Sequence, residues 1–192
     1  MSHVLAVLLL RMKMSLTYDK AKARLKTVKT EKQLLKLIEK IDIHAIGSVT
    51  VLYSGTAAVD YSDSGKRISA GSLAQSILDN GDDVRIIDNT EAAKFLDLNR
   101  NTALVEALER IYGDDPNKIG SKSNRFLYGG VDEQNRVVKG AWDVVSARFV
   151  DATDGAVVTI TGGDDQNRVF GRTENPHILD NQKITTVDGI PQ

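Results

Sequence analysis

Short segments rich in Val, Ile and Thr alternate with amphipathic segments along most of this chain, and this alternation limits the folds open to it. The strand-like segments lie at residues 49–53, 84–87, 156–160, 169–170 and 184–187. Apolar side chains recur at helical spacing over residues 69–79, 91–112, with a bend near 99–101, and 138–152, while residues 117–124 are typical of a polar loop. Strands that alternate with helices favour an α/β domain, so we expect a small, mostly parallel sheet flanked by helices over residues 47–192.

The beginning of the chain differs from the rest in charge and in pattern. Residues 1–45 contain 10 Lys and Arg against 4 Asp and Glu, whereas the remainder contains 15 against 22. Leu and Ile recur at three- and four-residue spacing over residues 17–41, which predicts a helix with a lysine-rich face. Thr30 and Gln33 have the spacing of a capping box, which can restart a helix. We therefore predict a basic, helical N-terminal segment over residues 1–46.

Composition excludes several classes of site. The chain has no cysteine, which excludes a disulfide scaffold, a thiolate nucleophile and any zinc or iron–sulfur site built on Cys. Its three histidines are scattered, so we expect no metal site and no cofactor. The apolar run at residues 4–10 is far shorter than the roughly 20 residues that cross a bilayer, and positive charges follow it rather than precede it. We expect this run to belong to a helix, with no stable membrane insertion.

Phosphate-binding glycine motifs are also missing, since the chain contains neither GxGxxG nor GxxxxGK[ST]. Tyr53 and Ser54 follow a predicted strand, and the carboxyl end of a parallel strand is the usual place for a ligand site. Glu174 lies just beyond the predicted strand at residues 169–170. A single Glu in a loop is more often solvated than catalytic, and Trp142, the only tryptophan, would by itself be read as core.

Five short segments occur in a characteristic order along the chain: YS at 53–54, DNT at 88–90, YGG at 128–130, WDVVSARF at 142–149 and FGRTE at 170–174. In this order they resemble the ADP-ribosyl cyclase / NAD glycohydrolase family, whose animal members convert NAD to cyclic ADP-ribose and ADP-ribose. Residues 142–149, WDVVSARF, match the family helix pattern WxxVSRRFA, and residues 170–174, FGRTE, match its catalytic segment FGxxE, both at identical spacing. The other three matches are residues 53–54 (YS), 88–90 (DNT) and 128–130 (YGG), where the family has WS, EDT and WCG. The resemblance covers about residues 50–190 and implies an ADP-ribosyl cyclase-like fold.

The resemblance implies NAD+ glycohydrolase activity, which cleaves the nicotinamide–ribose bond and gives nicotinamide and ADP-ribose. It implies that Glu174 is the catalytic carboxylate. Trp142 and Tyr53 would hold the cationic nicotinamide ring between flat faces, and Asp88 would accept a hydrogen bond from its carboxamide. The groups that would hold the diphosphate are Ser54, Ser146, Arg172 and the backbone around Phe170.

Two substitutions and the lack of cysteine separate this chain from the animal enzymes. Tyr53 replaces a tryptophan, and Asp88 replaces a Glu whose identity is tied to the balance between cyclisation and hydrolysis. Both substitutions bear more on cyclisation than on NAD cleavage, so we expect hydrolysis with at most some cyclic ADP-ribose. The animal enzymes are rich in disulfides, whereas this chain must fold by core packing and can act in a reducing compartment.

A cysteine-free member with a basic N-terminal extension is similar to NAD-degrading modules found at the C-termini of large bacterial toxins. By that analogy we expect a secreted or contact-delivered toxin that acts in the cytoplasm of a target cell and pairs with a cognate immunity protein. Two alternatives stay open: a non-catalytic module that binds NAD or ADP-ribose, and a toxin that cleaves nucleic acid. The lysine-rich segment suggests the second, but the sequence lacks interleaved aromatic and basic residues and an acid–base His pair, so we expect no nucleic-acid partner.

Overall fold

The computed structural model describes residues 15–54, 56–58, 67–132, 134, 136–161 and 168–192, and the apolar run at residues 4–10 lies outside them. The strands are β1 (Val49–Ser54), β2 (Thr56–Ala58), β3 (Arg67–Ser69), β4 (Val84–Ile86), β5 (Gly130–Val131), β6 (Val137–Val138), β7 (Gly155–Thr161), β8 (Ile184–Val187) and β9 (Ile190–Pro191). The α-helices are α1 (Tyr18–Arg24), α2 (Glu31–Ile38), α3 (Ala70–Asp79), α4 (Glu91–Leu96), α5 (Thr102–Tyr112), α6 (Lys122–Tyr128), α7 (Ala141–Ala152) and α8 (Asn175–Asp180). Two 3₁₀ turns, Leu25–Thr27 and Ile87–Asn89, and a π-helical segment, Phe170–Glu174, complete the set.

Five strands form one mostly parallel sheet in the order β4-β1-β7-β8-β9, flanked by helices. In this sheet the pairs β1–β4, β1–β7 and β7–β8 are parallel and β8–β9 is antiparallel, while β2–β3 and β5–β6 form separate antiparallel pairs. The expected α/β architecture with a mostly parallel sheet is therefore confirmed. Because β1 has β4 on one side and β7 on the other, a crevice opens beyond its carboxyl end, which is where such sheets bind ligands.

Successive side chains of β1 point into two different layers of apolar packing. Val51 packs with Ala74 of α3 and with Val84 and Ile86 of β4 on one face of the sheet. Leu52 joins the larger core on the other face, which includes residues of α4, α5, α7 and the N-terminal helices. Because both faces of β1 are covered by helices, apolar residues face both layers, and the polar exception in VTVLY, Thr50, is buried with its hydroxyl hydrogen-bonded to Thr153 and Arg85.

The described part of the N-terminal segment packs into the larger core. Leu25, Leu34 and Ile38 are at most 1% exposed and pack in the same cluster as the helices that flank the sheet. Arg148 of α7 donates hydrogen bonds to the carbonyls of Ile38 and Ile41, at 3.0 and 2.7 Å, and so satisfies acceptors at the end of α2. The described residues 15–46 therefore lie against the α/β domain and do not extend from it.

Two predicted helices are each broken into two pieces. The helix expected over residues 17–41 ends after a 3₁₀ turn at Thr27 and restarts at Glu31, where the Thr30 side chain accepts a hydrogen bond from the Gln33 amide, as its capping pattern predicts. The helix expected over 91–112 is interrupted rather than bent. The Asn101 side chain there accepts from the Leu104 amide and donates to the Phe95 carbonyl, so one buried residue ends α4 and starts α5.

Three further predictions are wrong in ways that have local causes. The polar loop expected over residues 117–124 contains the start of α6, because Ser121 caps the Asn124 amide and Asp114 caps the amides of residues 122 and 123. The helix expected from residue 138 begins at Ala141, after β6 has paired with β5. The strand expected at residues 169–170 is helical, since Val169 leads into the π-helical segment. An apolar pair is too short to distinguish strand from helix.

Candidate functional site

A cavity of about 530 Å³ lies at the carboxyl end of β1 and contains all eight residues that the resemblance implies. Six further residues complete its lining. The lining residues are Tyr53, Ser54, Ser69, Gly71, Ile87, Asp88, Tyr128, Trp142, Ser146, Arg168, Val169, Phe170, Arg172 and Glu174. They come from segments far apart in sequence, which meet because the sheet brings the ends of β1 and β4 to one edge.

The strands and α7 supply opposite parts of the lining. Tyr53 and Ser54 end β1 and are half-buried, whereas Asp88 lies in the 3₁₀ turn after β4 and is exposed at the rim. Trp142 and Ser146 are four residues apart on α7, which places both side chains on the same face of the helix. Trp142 is half-buried and Ser146 is only 2% exposed.

Gly71 at the start of α3 allows the Tyr53 ring to lie against the helix. A Cβ atom added at Gly71 would come within 3.0 Å of Tyr53 Cε2, so any larger residue there would have to displace the ring. The Tyr53 hydroxyl is itself buried and has no hydrogen-bond partner among the described residues. Burial is the main reason why its pKa is raised above the ordinary value; the nearby Asp88 carboxylate adds to the rise both as a charge and as a hydrogen-bond acceptor, and the charge of Glu174 acts in the same direction.

Glu174 lies at the end of the π-helical segment, where the helix is wider than an α-helix. The amide of Asn175 bonds the Phe170 carbonyl five residues earlier. Pro176 has no amide hydrogen to give to the Arg172 carbonyl, and its ring would clash with that carbonyl in a regular α-helix. The proline therefore suits a place where the helix is wider than usual, and π-helical turns of this kind are frequent at functional sites.

The Glu174 side chain is buried with an incomplete set of partners. The residue is 5% exposed, and its Oε2 atom has no hydrogen-bond partner among the residues described. Burial raises the pKa of this carboxyl to about 7; the Ser146 hydroxyl partly offsets the rise, and the charge of Asp143 adds to it. An acceptor held in this way in a cavity is available to a ligand that offers a hydroxyl group or a positive charge.

Arg172 is held by a buried ion pair that the sequence reasoning missed. Its Nε and Nη2 atoms donate to Oδ1 and Oδ2 of Asp143, both at 2.8 Å, and the two side chains are 2% and 1% exposed. Asp143 also accepts from the Gly140 amide at 2.7 Å and from the Thr173 hydroxyl, so all of its acceptor positions face protein donors. A signal for Asp143 was present in the sequence, since it stands three residues after Gly140 at a helix start, where a carboxylate is a common cap.

The same arginine connects three elements around the cavity. Arg172 Nη2 also donates to the carbonyl of Tyr128 at the end of α6. The π-helical segment is therefore tied to the start of α7 through Asp143 and to the end of α6 through Tyr128. Gly129 follows directly, and a Cβ there would lie 2.4 Å from the Val138 carbonyl oxygen, so this junction has no space for a side chain. The guanidinium thus supports the segment that carries Glu174.

A second, smaller cavity of about 310 Å³ adjoins the first and shares Asp88, Tyr128 and Trp142 with it. Its remaining lining is mainly polar: Gln75, Asn89, Ala93, Lys94, Leu96, Asp97, Leu98, Asn99, Arg100 and Asn117. The sequence predicted only that Tyr128 belongs to a segment that matches the family, not that it is a site residue. In the structure it lines both cavities. The three shared residues form the boundary between the two spaces.

In the part of the chain that the structure describes, no group of three or more His, Asp or Glu side chains is arranged to hold a metal ion. No helix among the described residues is long and apolar enough to cross a membrane. No family model matches this chain, and no match is found among curated proteins or solved structures. The resemblance to the ADP-ribosyl cyclase family therefore rests on the quoted motifs and on the positions of their residues.

Proposed function

We propose that this protein is an NAD+ glycohydrolase with an ADP-ribosyl cyclase-like fold, and that Glu174 is its catalytic residue. The observation that carries the proposal is the buried Glu174 carboxyl, with one oxygen unpartnered among the described residues, in a cavity that also contains the other seven implied residues. A carboxylate in such surroundings interacts with a cation much more strongly than it would in water. The positively charged nicotinamide ribose of NAD+ is a ligand that matches it.

The reaction requires only one carboxylate because of the nature of its leaving group. The bond between ribose C1′ and the ring nitrogen breaks, and its electron pair neutralises the positive charge of that nitrogen. Nicotinamide leaves as a neutral molecule without a general acid, unlike the leaving group in ordinary glycoside hydrolysis, which uses two carboxylates. Water then adds to C1′ and releases one proton, so the products are nicotinamide, ADP-ribose and H+.

Glu174 acts in this scheme by stabilising the positive charge that develops on the ribosyl centre. Its carboxyl group is held in position before the reaction in a buried site, and when ionised it faces the developing charge without reorganisation, which is how preorganised groups lower transition-state energies. The carboxylate also accepts hydrogen bonds from ribose hydroxyls, which satisfies the free Oε2 atom. Binding of the cationic nicotinamide ring beside Glu174 lowers the pKa of its carboxyl and favours the charged form.

The other residues hold the substrate. Trp142 and Tyr53 lie beside the nicotinamide ring, an interaction of about 1 kcal/mol or more when the cation is desolvated. Asp88 accepts from the carboxamide, and the diphosphate lies against Ser54, Ser146 and the backbone around Phe170. Arg172 acts as a positioning residue in this proposal, because Asp143 and Tyr128 already bind its Nε and Nη2 atoms.

The biological role that we propose is that of an interbacterial toxin, and this rests on analogy with toxin modules. A secreted or contact-delivered NAD glycohydrolase would deplete NAD in the cytoplasm of the target cell. The producing cell would require an immunity protein, and a partner that covers the cavity at the end of β1 would block access to Glu174. Inhibition of NAD cleavage by a protein encoded with the toxin is the expected result.

Incubation of the purified protein with NAD+, with separation and counting of the products, tests the proposed activity. We expect nicotinamide and ADP-ribose in equal amounts, with cyclic ADP-ribose as at most a minor product. Binding of NAD+ without turnover would contradict the proposal and favour the non-catalytic module. The same assay with RNA and DNA in place of NAD+ gives the third outcome, since cleavage of either would favour the nucleic-acid alternative.

A further inference from the structure

The diphosphate of NAD+ brings two negative charges to the main cavity, and these charges require a positive partner. The charged side chains among the described residues of its lining are Asp88, Glu174, Arg168 and Arg172. The Arg172 side chain is 2% exposed, and its Nε and Nη2 atoms donate to Asp143. Because a buried carboxylate already matches its positive charge, Arg172 adds little to the attraction of a phosphate group.

Arg168 differs from Arg172 in its exposure. It lines the same cavity, but the residue is exposed, so its guanidinium lies where a ligand can enter. An arginine presents a planar fork of N–H donors that matches two phosphate oxygens. Exposed ion pairs contribute little free energy, so an exposed arginine can exchange its present contacts for a phosphate at low cost.

The position of Arg168 along the chain fits the spacing of the groups within NAD+. The Arg168 carbonyl accepts a hydrogen bond from the Arg172 amide at 3.2 Å, and Val169 has helical dihedral angles, so Arg168 stands one turn before Arg172. Glu174 follows Arg168 six positions later, which corresponds to at most about 9 Å along a helix axis. One methylene group joins the nicotinamide ribose to the diphosphate. A ribose at Glu174 therefore brings the diphosphate within reach of the long Arg168 side chain.

We propose that Arg168 binds the diphosphate of NAD+ through its guanidinium group. This inference rests on the proposed NAD+ glycohydrolase function and adds a residue that lies before the FGRTE segment, outside the motifs that carry the family resemblance. The resemblance implied this role for Arg172, whose buried pair with Asp143 instead supports the segment that carries Glu174. The diphosphate is unchanged when nicotinamide leaves, so Arg168 should contribute to KM rather than to kcat.

Nicotinamide riboside separates the diphosphate from the rest of the substrate. It has the same bond between a cationic ring and ribose C1′, but it has no diphosphate and no adenosine. The test measures kcat/KM for NAD+ and for nicotinamide riboside in wild type, Arg168→Gln, Arg168→Lys and Arg136→Gln. Arg136 is the matched control, because it is also an exposed arginine and it lies outside the cavity lining.

We expect Arg168→Gln to lose about 10- to 100-fold in kcat/KM for NAD+, mainly through a higher KM, as is usual for hydrogen bonds between charged groups. Its kcat/KM for nicotinamide riboside should stay within about twofold of wild type, and Arg136→Gln should match wild type on both substrates. Arg168→Lys should recover part of the loss, because lysine keeps the charge but not the planar fork. Since Arg168 is exposed, the thermal midpoints of its variants should lie within about 2 °C of wild type.

Equal losses by Arg168→Gln on both substrates, or wild-type kcat/KM for NAD+ in that folded variant, would overturn the inference and leave the glycohydrolase proposal intact. If wild type releases nicotinamide from neither substrate, the proposed function itself fails. Isothermal titration calorimetry with ADP-ribose requires no turnover, so it decides the binding role even then. We expect Arg168→Gln to bind ADP-ribose about tenfold more weakly than wild type. Equal affinities, or no binding by wild type, would overturn the inference.

Discussion

The position of Glu174 suits its proposed activity but makes its charged form costly for the stability of the fold. The carboxyl is 5% exposed, and burial is the largest cause of its raised pKa. Water would stabilise the charged form, but water would also weaken its attraction for a cationic ring such as that of nicotinamide. Ionisation of Glu174 therefore lowers the free energy of unfolding, and the charge is useful only when a ligand enters the cavity. Such a conflict between stability and function is common at functional sites.

The pH dependence of NAD cleavage follows from the state of Glu174. In the proposed mechanism the carboxylate form of Glu174 is the active one, so kcat/KM should rise with pH through a limb near 7, the pKa of Glu174 in the free protein. The bound cationic ring lowers that pKa, so the corresponding limb of kcat should lie at lower pH. Steady-state kinetics between about pH 5 and pH 8 measure both limbs, and a flat kcat/KM over this range would contradict the assignment.

The free energy of unfolding should depend on the same ionisation of Glu174, but it should fall with rising pH where kcat/KM rises. Because the pKa of Glu174 is raised from 4.5 to about 7 on folding, the folded state keeps a proton that the unfolded state loses. The free energy of unfolding of the wild type therefore falls as pH rises through this window and levels off above pH 7. Relative to wild type, Glu174→Gln should gain about 2 to 3 kcal/mol between about pH 5 and pH 8, as measured by urea unfolding. A constant difference between the two proteins would contradict the raised pKa.

The sequence pointed to single residues of the site more reliably than to their supports. The motif order drew attention to Glu174, Trp142 and Tyr53, and the structure places all three in the lining of one cavity. Asp143 was missed, since its importance comes from a pairing with Arg172, 29 residues later, and no local pattern records that pairing. Motifs therefore pointed to side chains that line the cavity, whereas the side chains that hold them in place depend on tertiary contacts.

At the level of elements, the π-helical segment and its ion pair deserve the closest test. Arg172 forms a two-pronged pair with Asp143 that is almost fully buried, and it joins α6, α7 and the segment that carries Glu174. Arg136 forms a pair with Asp132, also with a 2.8 Å Nε–oxygen distance, but 73% of the Arg136 side chain is exposed. The two arginines therefore form a matched comparison between a buried pair and an exposed one.

Replacement of each arginine by lysine should give different results. Arg172→Lys loses the planar fork inside a buried pair, and we expect the free energy of unfolding to fall by about 3 kcal/mol. Arg136→Lys should give no resolvable change, because exposed pairs contribute little. Misplacement of Glu174 should make Arg172→Lys lower kcat more than it raises KM for NAD+. A folded variant with wild-type stability and only a raised KM would instead indicate direct contact with the diphosphate.

Element types were predictable where a pattern was long and failed where it was short. The segments at residues 49–53 and 156–160 are strands, as their β-branched composition indicated. The pair Val169-Phe170 is helical although a strand was predicted, because two apolar residues are too few to show a helical or strand period. The break between α4 and α5 depends on Asn101, whose buried side chain satisfies backbone groups on both sides, which periodicity alone does not reveal.

At the scale of the whole molecule, the N-terminal helices and the sheet share one apolar core. Ile38 of α2 is fully buried in the cluster that also contains Leu104 of α5 and Phe149 of α7. The difference in charge between the two parts of the sequence is therefore a property of the surface and does not separate their packing. The class of the fold was predictable from the alternation of strands and helices. The packing of α1 and α2 against the domain was not predictable, because their pattern shows an apolar face but not the surface that covers it.

Two isoleucines in the N-terminal segment test this shared core. Ile38→Ala removes a side chain that is 0% exposed, so we expect a loss of about 3 kcal/mol in the free energy of unfolding. Ile46→Ala is the control, because that side chain is 96% exposed and its removal should change stability little. Urea unfolding followed by fluorescence of Trp142 and by circular dichroism should give coincident transitions in both variants. Equal stabilities, or a separate early transition of the helices, would contradict a common core.

The central claim is that one buried carboxylate makes this protein cleave NAD+. The most direct measurement is the rate of nicotinamide release from NAD+ by wild type, Glu174→Gln and Glu109→Gln, with the folded state of each protein verified by circular dichroism. Glu109 on α5 is exposed and serves as the matched control. We predict that Glu174→Gln folds and loses about a thousandfold in kcat, while Glu109→Gln retains the wild-type rate. A folded Glu174→Gln protein that releases nicotinamide at the wild-type rate would contradict the claim.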